Sequence, residues 1–192
     1  MNLLNPARLW SREEVLTRPC PVPREPGVYA WYFKSPPPGV PVADCVRSGD
    51  LTLLYVGIAP KAIPLNGKPA SSQRLCNRVR YHFGGNAEGS TLRLTLGCLL
   101  AEDLGIQLRR VGSGNRLTFA DGEHVLSRWM NDNAFVAWHV TEEPWLLERD
   151  IIGRLPLPLN LDMNKGHPFH GFLSSMRRTA KQRARDLPIW SA

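Results

Sequence analysis

Two strand-forming runs near the front of the chain, GVYAWYF at residues 27–33 and LTLLYVG at residues 51–57, restrict its fold more than any other segment. Both are rich in aromatic and β-branched side chains, which suit a pleated, packed surface. Between them lies SPPPGVPVADCVRSGD, residues 35–50, whose four prolines exclude a helix or a central strand. The two runs are therefore expected to pair as an antiparallel hairpin with an expanded loop. Each carries a tyrosine tripeptide, Gly27-Val28-Tyr29 and Tyr55-Val56-Gly57, so the pairing would bring Tyr29 and Tyr55 together.

The remaining elements follow from local signals. Ser11-Arg-Glu-Glu14 has the spacing of a capping box and predicts a short helix toward Arg18, stopped by Pro19. Pro21, Pro23 and Pro26 make an extended approach to the first strand. Residues 58–71 are irregular, with Pro60, Pro64, Gly67 and Pro69, and Ser71 or Ser72 is expected to cap a helix reading QRLCNRVRYHF. On that helix Leu75 and Val79 recur at i, i+4 on the buried side, while Arg74, Arg78 and His82 recur on another face. Gly84-Gly85 closes it. A helix from Ser90 through Glu102, ended by Gly105, leads to a hairpin of IQLRRV and RLTF, and Asp121-Gly122 opens a further helix to about Asn131. AFVAWHV, residues 134–140, reads as a third strand, and Pro144 starts the helix PWLLERDIIGRL. LPLPLNLDMN, residues 155–164, is a packed loop, and Pro168 introduces the last helix.

The expectation is one α/β (α+β) domain with a small, mainly antiparallel three-stranded sheet flanked by helices. Residues 1–26 form a lead-in and residues 27–165 a core. Within the core, about 84–133 form an inserted helix-hairpin-helix region, and residues 166–192 make a basic C-terminal helix. At 192 residues the chain can bury a core, and its 43% hydrophobic and 21% charged residues are ordinary for a globular protein. The charge balance is not ordinary. A formal net charge of +7 and a pI near 9.6 favour a polyanionic partner, nucleic acid first. Cys20, Cys45, Cys76 and Cys98 are scattered, which suggests neither a zinc site nor a disulfide framework. No apolar run approaches the roughly 18 residues of a spanning helix, and the N-terminus lacks a signal-peptide pattern. A cytoplasmic protein with no membrane partner is expected. Gly112-Ser113-Gly114 lacks the helix and Lys-Ser/Thr of a phosphate loop, and no Gly-x-Ser-x-Gly elbow is present.

Taken singly, Tyr29 is an ordinary core tyrosine, and Arg78, His82 and Glu148 are ordinary helix-surface residues. Taken together, GVY at 27–29, YVG at 55–57, the Arg78-x-x-x-His82 spacing in RVRYH, Glu148 on a later helix and Asn160 twelve residues on resemble the GIY-YIG nuclease superfamily. Valine stands for isoleucine in both tripeptides and preserves β-branching. Tyr29 to Tyr55 spans 26 residues and Tyr55 to Arg78 spans 23, longer than the compact family core and similar to its restriction-enzyme members.

The resemblance implies a divalent-metal-dependent endonuclease that hydrolyses DNA phosphodiester bonds, with RNA left open as substrate. Its catalytic set would be Tyr29, Tyr55, Arg78, His82, Glu148 and Asn160, and its cofactor Mg²⁺ or Mn²⁺ held by Glu148. Hydrolysis of a phosphodiester needs an activated water, charge neutralisation at phosphorus and help for the leaving oxygen. Mg²⁺ commonly binds through one or two carboxylates, and arginine offers a planar fork to phosphate oxygens. Tyrosine, with a reference pKa near 10, needs assistance to act as a base, and His82 one turn from Arg78 is placed to give it. Whether Tyr29 or Tyr55 takes the proton stays open. Asn160 reads as structural, tying its loop to the site.

Nucleic-acid contacts are expected from Arg74 and from the last helix, where Arg177, Arg178, Lys181, Arg183 and Arg185 face a single acid, Asp186. Arg109, Arg110 and Arg116 form a second candidate set. His167 and His170 read as helix-start residues rather than metal ligands. The little room left for a second domain points to a stand-alone enzyme, dimeric if it makes double-strand breaks. The rival reading is a non-catalytic nucleic-acid-binding module that keeps the fold.

Overall fold

The computed structural model describes residues 3–62 and 71–191. Pro64, Gly67 and Pro69 of the irregular stretch lie outside the described residues. The elements in chain order are α1 (Arg12–Leu16), β1 (Gly27–Phe33), β2 (Arg47–Ser48), β3 (Leu51–Ala59), α2 (Leu75–Gly84), α3 (Thr91–Leu99) and α4 (Ala101–Leu104). There follow β4 (Arg109–Val111), β5 (Arg116–Thr118), α5 (Gly122–Asn133), β6 (Ala134–Val140), α6 (Pro144–Arg154) and α7 (His170–Asp186).

The main sheet runs β2-β3-β1-β6, antiparallel throughout. It has four strands where three were expected. The addition is the two-residue edge strand β2, which forms beyond the last proline of the 35–50 loop, where backbone N–H groups are again free to pair. The opposite edge is partly covered by Trp10, whose N–H and C=O both bond Val136 at 2.9 Å. Hairpin β4-β5 forms a separate two-stranded sheet.

Strand β1 is buried at every residue because it is central and covered on both faces. Tyr29, Trp31 and Phe33 enter the larger core with Leu75, Val79 and Phe83 of α2, Leu92 and Leu96 of α3, and Leu173 of α7. Val28, Ala30 and Tyr32 enter a smaller core with Ile151 and Ile152 of α6. Tyr32 donates its hydroxyl to the Leu3 carbonyl at 2.6 Å, so its polar end is satisfied inside the apolar layer.

The α1 capping box is present, with Ser11 and Glu14 bonded reciprocally. Helix α2 begins at Leu75, later than a Ser71 or Ser72 cap requires. Its first N–H groups are satisfied by the lead-in instead: Leu75 N donates to Glu25 O and Cys76 N to Pro23 O, each at 3.0 Å. That docking presses Leu75 against β1. A side chain at Gly27 would collide with Leu75 and the His139 carbonyl, so the glycine of the first tripeptide permits close approach.

No helix among the described residues is long and apolar enough to cross a membrane.

Candidate active site

The register of β1 with β3 places the tyrosines. Tyr29 is paired with Gly57 and Trp31 with Tyr55, so Tyr29 and Tyr55 are diagonal neighbours on one face of the sheet. The expanded loop does not disturb this, because the one irregularity falls further along, between Trp31 and Tyr32. Gly57 is needed for the same geometry: a Cβ there would lie 2.5 Å from the Tyr29 hydroxyl. The second glycine makes room for the first tyrosine.

Helix α2 delivers His82 behind that pair. Its ring is fully buried among Tyr29, Trp31 and Tyr55, with centroids at 5.2, 5.7 and 6.3 Å. Its Nε2 lies 2.9 Å from the Tyr29 hydroxyl and its Nδ1 lies 2.7 Å from Ser90 Oγ. Ser90 is itself fully buried and caps α3 by accepting from Arg93 N at 3.1 Å. Two tautomers satisfy these contacts: Nε2–H donating to Tyr29 while Nδ1 accepts from Ser90, or Nδ1–H donating to Ser90 while Nε2 accepts the Tyr29 hydroxyl hydrogen. Burial, with Arg78 and Arg93 nearby, holds the His82 pKa well below its usual range, so the ring is neutral.

Helix α3 supports two further side chains of the site with hydroxyls. Thr91 shares a hydrogen bond with the Tyr55 hydroxyl at 3.3 Å, and Thr95 Oγ1 accepts from Arg177 at 3.4 Å. Burial raises the pKa of both tyrosines; Tyr55 adds to the rise at Tyr29, while Arg78 opposes it at both.

One cavity of about 450 Å³ collects Tyr29, Tyr55, Arg78, Glu148, Asn160, Asp162 and Arg177. Arg78 is anchored by donating to Gly89 O at 2.7 Å, which leaves other guanidinium N–H groups for a ligand. Asn160 binds the backbone of β3. Its Oδ1 accepts from Val56 N and its Nδ2 donates to Val56 O, both at 2.9 Å, so it completes the outer edge of β3 beside Tyr55.

Glu148, on α6, is raised to about 7 by burial and by Asp162, with Lys61 opposing. It makes no hydrogen bond or ion pair with any described residue. Among those residues no three His, Cys, Asp or Glu side chains converge, so the donor set is not that of a closed structural site. A partly buried carboxylate beside a second one suits a Mg²⁺ or Mn²⁺ ion that keeps waters and takes substrate oxygens. The residues present fit such an ion.

The expected nucleic-acid contacts separate. Arg177 reaches the cavity, and Arg177, Arg178, Lys181 and Arg185 line an adjoining groove. Arg183 and Arg74 line neither. Arg109 and Arg110 are occupied elsewhere: they donate to Pro188 O and Leu187 O, and Arg109 stacks on Trp190, pinning the C-terminal segment. His167 accepts from Phe169 N at 3.1 Å, a helix-start role. Sequence reasoning missed Ser90, Thr91, Thr95 and Asp162. Ser90 was legible only as a helix start, and Asp162 only as the acid two residues after Asn160.

No curated protein and no solved structure matches the chain significantly. A sequence model described as the GIY-YIG catalytic domain matches residues 27–182, from the first tyrosine tripeptide into α7. That span holds both paired tripeptides and every residue converging on the cavity, and on it the chain belongs to the GIY-YIG catalytic domain family.

Proposed function

We propose that this protein is a divalent-metal-dependent endonuclease that hydrolyses DNA phosphodiester bonds by in-line attack of water. The observation that carries the reading is the joint presence of Tyr29, Tyr55, Arg78 and Glu148 on one cavity, with neutral His82 hydrogen-bonded to Tyr29 from behind.

We assign the base to Tyr29, whose phenolate would accept from His82 in the Nε2–H tautomer; Arg78 favours the charged form of Tyr29 and Tyr55 alike. In the reaction Tyr29 first gives up its own proton to solvent. A water oxygen then attacks phosphorus while the bond to the 3′ oxygen breaks. The water's proton passes to the Tyr29 phenolate, and the departing 3′ oxygen takes a proton from solvent. Arg78 holds the non-bridging oxygens on which charge accumulates. Tyr55, steadied by Thr91, orients the water or the phosphate. Glu148, with Asp162 beside it, would hold the metal, which when bound supplies charge neutralisation at phosphorus and at the leaving oxygen. The products are a 5′ phosphate and a 3′ hydroxyl.

The test is cleavage of plasmid DNA with Mg²⁺ or Mn²⁺. Glu148→Ala is expected to abolish it with folding intact by circular dichroism. Cleavage that survives this substitution would sink the assignment, and salt-sensitive DNA binding without cleavage under any metal would favour a binding module.

A further inference from the structure

Helix α7 has two unlike polar flanks. At about 100° per residue, Ser174, Arg177, Arg178, Lys181 and Arg185 fall within an arc of roughly 100°, and Arg183 falls on the opposite side. With Leu161 those five residues line a groove of about 240 Å³ that contains four cations and no acid. Arg177 also lines the catalytic cavity, so the two spaces meet at its guanidinium. Arg177 is half-buried and spends one donor on Thr95, which fixes its position and leaves the rest of its fork open. Arg177, Lys181 and Arg185 recur every four residues, a rise of about 6 Å, comparable with the separation of successive phosphates along an extended strand.

A ligand that fills both spaces must present a phosphodiester at one end and further anionic groups beyond it. We infer that the α7 groove is the track for the DNA strand running from the cut site: Arg177 holds the phosphate adjacent to the scissile one, and Arg178, Lys181 and Arg185 hold those that follow. The inference rests on the nuclease reading and adds the direction of the strand. It differs from a merely basic helix, on which Arg183 would serve as well as its neighbours.

Binding is measured without cutting, by fluorescence anisotropy of short labelled DNA on the wild-type chain in EDTA over a range of salt. Combined substitution of Arg178, Lys181 and Arg185 by alanine is expected to weaken binding at least tenfold. The slope of log affinity against log salt should fall by about 2 to 3, at 0.7 to 0.9 per lost contact. Arg183→Ala should leave the slope within its error. A second measurement leaves the protein intact: a neutral methylphosphonate replaces the phosphate next to the cut site. It should weaken wild-type binding about tenfold and cost Arg177→Gln nothing further. Equal slopes for Arg183→Ala and for a single groove substitution overturn the track, as does indifference of the wild type to the methylphosphonate. If the wild type cleaves DNA while the groove substitutions leave the slope unchanged, the track falls and the nuclease reading stands. If the groove signature appears but no metal supports cleavage, the track stands and the nuclease reading falls.

Discussion

Ser90 shows how one hydroxyl sets the chemistry of a neighbour. It accepts from Arg93 N and shares a hydrogen bond with His82 Nδ1, and when it donates there it turns His82 Nε2–H toward Tyr29. Removing the hydroxyl lets the ring adopt the other tautomer, in which His82 accepts the phenol proton and no longer steadies a phenolate. Ser90→Ala is expected to lower kcat by less than the roughly 10²- to 10⁴-fold that a proton-transfer group itself contributes, and to shift the alkaline rise of the pH-rate profile upward. Losing the helix cap adds a stability cost of about 1 kcal/mol. Ser90→Thr, which keeps the hydroxyl, should restore the profile; a profile unchanged in Ser90→Ala would reduce Ser90 to a cap.

At the scale of elements, α3 is the organiser of the site. Its first turn and a half supplies Ser90 to His82, Thr91 to Tyr55 and Thr95 to Arg177. It is fixed in turn by a buried ion pair. Arg93 of α3 has a fully buried side chain, and its Nε and one terminal nitrogen donate to Glu123 of α5 at 2.9 and 2.6 Å. The other Glu123 oxygen accepts from Ala87 N and Phe119 N, so one carboxylate joins three segments. Glu123→Ala would leave the Arg93 charge buried and unpaired, and is expected to cost about 3 to 5 kcal/mol. Glu123→Gln, which keeps acceptor and shape, should cost less. Urea midpoints on the two variants check the order.

At the scale of the molecule, Glu148 ties global stability to pH. Burial and Asp162 hold its proton in the folded chain to about pH 7, whereas an unfolded glutamate releases it near 4.5. Between those values the folded state binds more protons, so this group's contribution is fully present below pH 4.5 and is lost as pH rises through 7. Metal-free protein is therefore expected to show a downward stability component across pH 4.5 to 7 that is absent in Glu148→Gln. Denaturant titrations on both proteins in EDTA measure it. Parallel pH curves would show that Glu148 is not destabilised in the fold. Adding Mg²⁺ or Mn²⁺ should restore stability at pH 7 and above in the wild type alone.

Periodicity and turn chemistry made the strands at 27–33, 51–57 and 134–140 and the main helices legible in the sequence. These signals are local, and burial on both faces of β1 only strengthened them. The spacing of Arg78 and His82 put both on one helix face, and the two tripeptides named the strands that carry Tyr29 and Tyr55. What the sequence left open depends on contacts between distant segments. The diagonal register of the tyrosines needs the pairing of β1 with β3. The start of α2 needs the carbonyls of Pro23 and Glu25, and the loss of Arg109 and Arg110 to the C-terminal segment needs that segment docked. Ser90, Thr91 and Thr95 became part of the site only when α3 packed against α2 and α7, because a hydroxyl in a helix carries no local sign of the partner it will meet.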